Sequence, residues 1–425
     1  MRRFLTVCLL VAAAVALGGH AASAQKMKLV WWEHSNPPHN NLSNELVAQF
    51  NRANPDAEVA YEFFAMTPFF KKLAVAVSTK TAPDMFTVFS TLMPSLIEKK
   101  GIAPLNVQWL GYSSLDEMKK AYLPGALDGY IYGGKLYAVP ILAQTMSLYL
   151  NKKHFREAGL DPDKDYPRTW DDIARVGKKL VKFEGGRMTR EAFDFAMISS
   201  AWTMIQMEPI IHQYGGSILD PSGKKCVVNS EAGVKAMNVR ASFARVHKIS
   251  DPAVTVATHA LPASDMSAGR VSMFITHPGS VAQFGPALMK DVKVVAHPQL
   301  DPAKPVTATY GFALSVNPDI PPGKQKRVHD LIRFVSADPK KWLDRVGTVN
   351  PRGGFLDIPG VRDQPYIDVF VKDISTARHL TRSPKYSEIA DAMHRAMERV
   401  VLKGEDSKKS LDQACRDIDR ALAKK

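Results

Sequence analysis

No acidic side chain precedes Glu33. Cysteine is scarce, with Cys8, Cys226 and Cys415 the three present. There is no His-Glu-x-x-His, Gly-x-Ser-x-Gly or Cys-x-x-Cys sequence. That removes the zinc-protease helix, the nucleophile elbow and the paired-thiol redox motif. Beyond the N-terminal segment no stretch is apolar enough to cross about 30 Å of hydrocarbon, which takes roughly 20 residues. Internal repeats and low-complexity linkers are also missing.

What the N-terminus does hold is ordered. Met1-Arg2-Arg3 is followed by an apolar run from Phe4 to Leu17, then by the small-x-small triplet Ala22-Ser23-Ala24. Basic, apolar and small residues in that order form a secretory signal peptide over residues 1–24, expected to be cleaved near Ala24. The mature chain is therefore expected in the periplasm. Cys8 would leave with the peptide. Cys226 and Cys415 would remain, where an oxidising compartment permits a disulfide but does not require one.

The formal net charge is +14. Arg2 and Arg3 contribute two, so the mature value is 14 − 2 = +12. Such a charge invites a nucleic-acid reading. The cations are dispersed, however, in pairs such as Lys71-Lys72, Lys99-Lys100 and Lys340-Lys341. Many fall near helix ends, where cations favour the helix dipole. A solvated basic surface with no nucleic-acid partner follows. A mature chain of this length exceeds one ordinary core and predicts two domains.

The pattern along the chain alternates. Lys28 to Trp32 reads as a buried strand, followed by a polar loop from Glu33 to Pro38. Leu42, Leu46, Val47 and Phe50 recur at helical spacing. Glu58 to Phe64 reads as a strand, Thr67-Pro68 as a helix start, and Met85 to Phe89 as a third strand. Ser90 is placed as the next N-cap. Later strands are expected over 148–150, 271–276, 292–296 and 311–316. Gly133-Gly134 predicts a tight turn, and Thr169-Trp170-Asp171-Asp172 a capping box. Alternation of this kind indicates an α/β fold with a mainly parallel sheet. In such sheets ligands bind beyond the carboxyl ends of strands.

Several segments together carry a resemblance. They include Phe50-Asn51-Arg52-Ala53-Asn54-Pro55, Ala82-Pro83-Asp84-Met85 and Gly134 to Pro140. Tyr149-Leu150-Asn151-Lys152, Phe155 to Leu160, Ala268 to Met273 and Tyr310-Gly311-Phe312-Ala313 continue the series. In order and spacing the chain resembles the extracellular solute-binding proteins that include maltose-binding protein. The resemblance implies an α/β, two-lobed periplasmic binding protein fold, type II-like, whose hinge-joined lobes are linked by crossing strands. Lobe one would hold residues 26–141 and 314–349, and lobe two residues 142–313 and 350–425. The hinge would lie near Ile141 to Gln144 and Tyr310 to Ala313.

The implied function is the substrate-binding component of an ABC importer, capturing a sugar or related polyol by hinge closure. The implied partners are inner-membrane permease subunits and their ATPase. A monomer without cofactor, metal or catalytic activity is expected. Iron binders of related type use adjacent tyrosines, and no Tyr-Tyr pair occurs here. Glycerol phosphate, a phosphodiester or a polyamine is the alternative ligand. A secreted hydrolase is the alternative of another class, because paired carboxylates leave no signature in sequence.

A sugar needs aromatic faces and hydroxyl partners. Trp32, Glu33, His34, Ser90 and Thr91 stand at or near strand ends. Only one of Trp31 and Trp32 can face a cleft, because successive strand side chains alternate. Gln144 and Tyr310 fall at the implied hinge. Trp202, Tyr214 and Gly279 are placed along lobe two, and Arg352 where the resembling proteins often present a ligand-facing residue.

Overall fold

The computed structural model describes residues 26–194, 199–251 and 263–424. The expected signal peptide over residues 1–24, with its expected cleavage near Ala24, lies outside the described residues. Ten strands build two sheets. They are β1 (Met27–His34), β2 (Ala57–Phe64), β3 (Met85–Phe89), β4 (Val139–Pro140) and β5 (Ser147–Asn151), then β6 (Lys182–Glu184), β7 (Arg187–Asp194), β8 (Val271–Thr276), β9 (Val292–Val295) and β10 (Phe312–Val316). The first sheet has the order β2-β1-β3-β10-β4 and the second β9-β5-β8-β7-β6.

The first three strands are parallel, as alternation with helices predicts. The rest departs from a mainly parallel sheet. β10 runs antiparallel to β3 and to β4. In the second sheet only β7 and β8 are parallel, while β5 is antiparallel to both of its neighbours. The reason is connectivity. β10 re-enters the first sheet from the other lobe rather than through a right-handed crossover of its own, so no parallel direction is imposed on it.

Local expectations differ at a few points. β1 extends through Glu33 and His34, and the next helix begins at Pro37, where a missing backbone N–H costs nothing. The helix Met66–Ser78 takes Ala65 as its N-cap, not Thr67. Ser90 opens a short 3₁₀ turn instead of capping a helix. The capping box at Thr169 is present, with Asp172 returning a bond to the Thr169 backbone. The Gly133-Gly134 turn joins the two strands of a small hairpin, Ile131–Tyr132 and Lys135–Leu136. The β6–β7 hairpin was not anticipated. Gly185-Gly186 between its strands adopts positive φ at both positions, the geometry that suits the twist of a two-residue hairpin.

Helices Pro37–Ala53, Met66–Ser78 and Pro322–Val335 pack on the first sheet. The second sheet carries the helix Trp170–Leu180. Beside it stands a cluster of helices Ser200–Gln213, Glu231–Arg245, Tyr386–Lys403 and Ser407–Leu422. Among the described residues no helix is long and apolar enough to cross a membrane.

Among the described residues three backbone segments cross between the sheets. Gln144 and Tyr310 exchange backbone bonds of 2.8 and 3.1 Å, and Ala143 N–H donates to Val349 at 2.9 Å. Asn350 Nδ2 donates to the Ile141 carbonyl. Gly311 sits where these strands approach most closely. A Cβ there would lie 2.5 Å from the Leu142 carbonyl oxygen and 2.7 Å from the Tyr130 hydroxyl.

Cys226 and Cys415 form a disulfide across 189 residues of chain. It ties the segment before Glu231–Arg245 to the last helix. Loss of a native disulfide typically costs about 2–5 kcal/mol. Cys415→Ser, and reduction of the wild type, are each expected to lower the unfolding midpoint clearly. Equal midpoints for oxidised and reduced protein would contradict that role.

Candidate functional site

A cavity of about 390 Å³ lies between the two sheets beside the crossing strands. That volume falls within the range of small-molecule sites. The first sheet contributes His34 from the end of β1, Phe89 from the end of β3 and Thr91 just beyond it. The helix Met66–Ser78 adds Phe70 and Lys71. Gln144 and Tyr310 come from the crossing strands. The other wall is Trp202 and Ile205 on the helix Ser200–Gln213, His277 after β8, and Tyr386 and Asp391 on the helix Tyr386–Lys403. The site thus sits at carboxyl ends of strands in both sheets.

Aromatic rings dominate the lining. Phe89 packs on Tyr310 and Phe312 with ring centroids 5.5 and 5.3 Å apart. His34 stacks on Phe312 at 4.1 Å. Trp202 meets His277 edge-on at 6.2 Å.

Polar atoms in this lining lack partners. His34 Nδ1, Trp202 Nε1 and His277 Nδ1 are buried without a hydrogen bond. The Thr91 and Tyr386 hydroxyls are also buried. They lie near each other but without hydrogen-bond geometry. Leaving a buried donor or acceptor unpaired costs about 1–3 kcal/mol each. Asn36 Oδ1 in the same lining is also buried without a partner, so among the described residues six such atoms surround one cavity, a surface suited to being completed by another molecule.

The lining is nearly uncharged. Burial pulls the imidazole of His34 down to about 4, with Glu33 acting in the opposite direction and His39 in the same one. Burial alone does the same for His277, also to about 4. Both rings are neutral at pH 7 and offer one donor and one acceptor each. Lys71 and Asp391 are the charged residues in the lining, both exposed at its edge. Asp391 accepts a hydrogen bond from Ser200 Oγ.

Of the residues singled out in the sequence, His34, Thr91, Gln144, Trp202 and Tyr310 line the cavity. Gly279 lines a small adjoining recess with His34, Gln144 and His277.

The other five are placed elsewhere. Trp32 packs edge-on against Phe64, with Lys72 Nζ 4.2 Å from its ring centroid. Its neighbour Trp31 is the core residue of the alternating pair. Glu33 is fully buried beneath the cavity. It accepts hydrogen bonds from Tyr61 at 2.6 Å, Thr87 at 2.8 Å and Ser43 at 3.1 Å. His39 Nε2 stands 3.3 Å away. Burial raises the Glu33 carboxyl and lowers His39 to about 3, so the contact is not a charged pair near neutrality.

Ser90 pins the crossing strand instead, exchanging bonds with the Gly311 backbone. Tyr214 caps the C-terminal end of Ser200–Gln213, roughly 18 Å along the helix from Trp202 at 1.5 Å per residue. Arg352 lies over the Tyr122 ring at 5.6 Å and donates to Ser336, away from the lining.

Phe70, Phe312, Tyr386 and Asp391 were not singled out in the sequence as contacts. Phe312 was within reach as the neighbour of Tyr310 in a recognised segment. Phe69 and Phe70 form a pair in which Phe69 is wholly buried, which left Phe70 for another face. Tyr386 and Asp391 carried no local signal.

The two neutral histidines link stability to pH. Their folded value of about 4 lies below the ordinary 6.5. Between those values the unfolded chain binds more protons, so stability falls as pH drops from 6.5 towards 4. Each contributes up to about 3 kcal/mol of that loss. Replacing both with Gln is expected to make this part of a stability–pH curve shallower, with His39, His154 and His297, lowered to about 3, 4 and 4 mainly by burial, accounting for slope that remains. An unchanged slope would show that they are not held neutral.

The sequence is similar to a binding protein of Brucella abortus, 24% identical over 395 residues covering 89% of each chain. It is also similar to an sn-glycerol-3-phosphate-binding periplasmic protein of the same species. That match is 27% identical over 180 residues, 42% of this chain and 41% of the other. The fold matches an ABC transporter solute-binding protein of Thermotoga lettingae bound with α-D-tagatose. There the TM-score is 0.80 at 19% identity, covering 94% of this chain and 100% of that one. The family model for bacterial extracellular solute-binding proteins matches residues 36–341, more than half of the chain. This two-lobed α/β protein belongs to the bacterial extracellular solute-binding protein family.

Proposed function

We propose that the protein is the periplasmic substrate-binding component of an ABC importer and captures a neutral sugar or related polyol between its lobes. The observation that supports this most is the set of unpaired buried polar atoms facing aromatic rings in an almost uncharged cavity. Hydroxyls of a sugar supply donors and acceptors for His34, Thr91, Trp202, His277 and Tyr386. The weakly apolar faces of its ring meet Trp202, Phe312 and Tyr310. The tagatose carried by the Thermotoga lettingae relative supports the same ligand class.

The proposed contacts are His34, Thr91, Gln144, Trp202, Gly279 and Tyr310, joined by His277 and Tyr386. The proposed lobes are residues 26–141 with 314–349, and 142–313 with 350–425. They close as rigid bodies about the crossing strands. Export with removal of residues 1–24, a monomeric state, hand-over to permease and ATPase subunits, and binding without turnover complete the reading.

Glycerol phosphate is the second reading, favoured by the similarity to the Brucella periplasmic protein. Against it, among the described residues a phosphate would find only the exposed Lys71 as a cation in this lining. Arg352, the guanidinium that could hold a phosphate by a planar fork, is committed to Tyr122 and Ser336.

Calorimetric titration of ligand-stripped protein with hexoses, pentitols, oligosaccharides and glycerol 3-phosphate tests this directly. A neutral sugar or polyol is expected to bind without being converted. Trp202→Ala should weaken it at least tenfold, about 1.4 kcal/mol. Tyr386→Phe should weaken it several-fold. Tight binding of glycerol 3-phosphate alone would overturn the ligand class, and chemical conversion of a bound sugar would overturn the function.

A further inference from the structure

We infer that a second ligand site lies at the β9 edge of the second sheet, shaped for a small organic oxyanion with an apolar body and a hydroxyl group. A cavity of about 500 Å³ opens there, larger than the one between the lobes. It shares no lining residue with that cleft.

The mouth of this cavity is cationic. Arg168, Lys293 and Lys372 all line it. Lys293 pairs with Asp163. Among the described residues, Arg168 and Lys372 have no carboxylate partner within ion-pair distance. The Arg168 guanidinium lies 5.1 Å from the Tyr166 ring centroid and donates one N–H to the Tyr166 hydroxyl at 3.4 Å, and Lys293 Nζ lies 5.0 Å from the same ring. That leaves the guanidinium fork with donors to spare, the geometry that recognises a carboxylate or phosphate.

The walls are apolar, with Val294, Pro302 and Val369 among them. The floor is polar. His297 is 1% exposed, and its Nδ1 lies 2.9 Å from the Pro298 carbonyl. The only proton that contact can use is on Nδ1, so Nε2 carries a lone pair. Nε2 is buried with no partner. An acceptor left empty in that position fits a ligand hydroxyl. Asp373 lies beside it, accepting from Ser147 Oγ at 2.7 Å and from the His297 backbone at 3.2 Å. Burial holds its carboxyl up at about 7, so near neutrality it sets less than a full negative charge under the site.

Cations at the mouth, apolar walls and a lone acceptor at the floor together select a ligand charged at one end and hydroxylated at the other. A sugar, which the cleft is proposed to take, has no use for the cations at this mouth. The two sites are thus chemically distinct.

Titration of the mature protein with 4-hydroxybenzoate tests the inference. Saturable binding is expected. An Arg168→Ala/Lys372→Ala variant should weaken it at least tenfold, and neither exposed side chain is part of the core. Benzoate, which lacks the hydroxyl, and 4-hydroxybenzamide, which lacks the charge, should each bind several-fold more weakly. Trp202→Ala should leave 4-hydroxybenzoate binding unchanged, which separates this site from the cleft. Absence of saturable binding, indifference to the loss of both cations, equal binding of either analogue, or loss of binding in Trp202→Ala would each overturn it.

Discussion

Everything that makes this molecule a receptor depends on a few backbone hydrogen bonds between Gln144 and Tyr310 and between Ala143 and Val349. They are the seam along which two separately built sheets are held in register. Backbone pairing suits this position because it fixes distance while leaving φ and ψ at the flanking residues free to absorb a rotation. Gly311 lets the strands come close enough to pair, and Ser90 locks the strand from the first sheet. A side chain at Gly311 would push the Leu142 carbonyl away and loosen the seam. The same residues that hold the lobes together, Gln144 and Tyr310, also line the cleft. A substitution at either would alter the cleft lining and the seam together.

Below that seam the first sheet is organised around a buried carboxyl. Glu33 gathers hydroxyls from Ser43, Tyr61 and Thr87, which lie on a helix and two strands. A fully bonded polar centre of this kind rigidifies its surroundings, whereas a half-satisfied one would destabilise them. Its neighbour His34 is held at the cleft edge against Phe312. Rigidity under the site and unsatisfied atoms within it are complementary.

The order of strands and helices was legible because periodicity is a local property. β3, β8 and the capped helix at Thr169 fall where the pattern put them. The direction of β10 was not legible, since it depends on where the chain had been for the preceding hundred and more residues. The cleft was partly legible. His34, Thr91, Gln144, Trp202 and Tyr310 stand beside strand ends or in recognisable segments. Glu33 was polar, at a strand end and adjacent to a cleft residue, and still faces inward, because alternation sends neighbours to opposite sides. Tyr386 and Asp391 reach the cleft from a helix near the C-terminus, which only tertiary packing brings there.

The Cys226–Cys415 bond has a consequence for the topology of the chain as a whole. The ring it closes contains β8 and β9 of one lobe, β10 of the other, and every passage of the chain between them after β8. Within that ring a single peptide bond can be cut without releasing a fragment. A nicked molecule stays one covalent body as long as its surroundings are oxidising, and parts into two chains only when it meets a reductant.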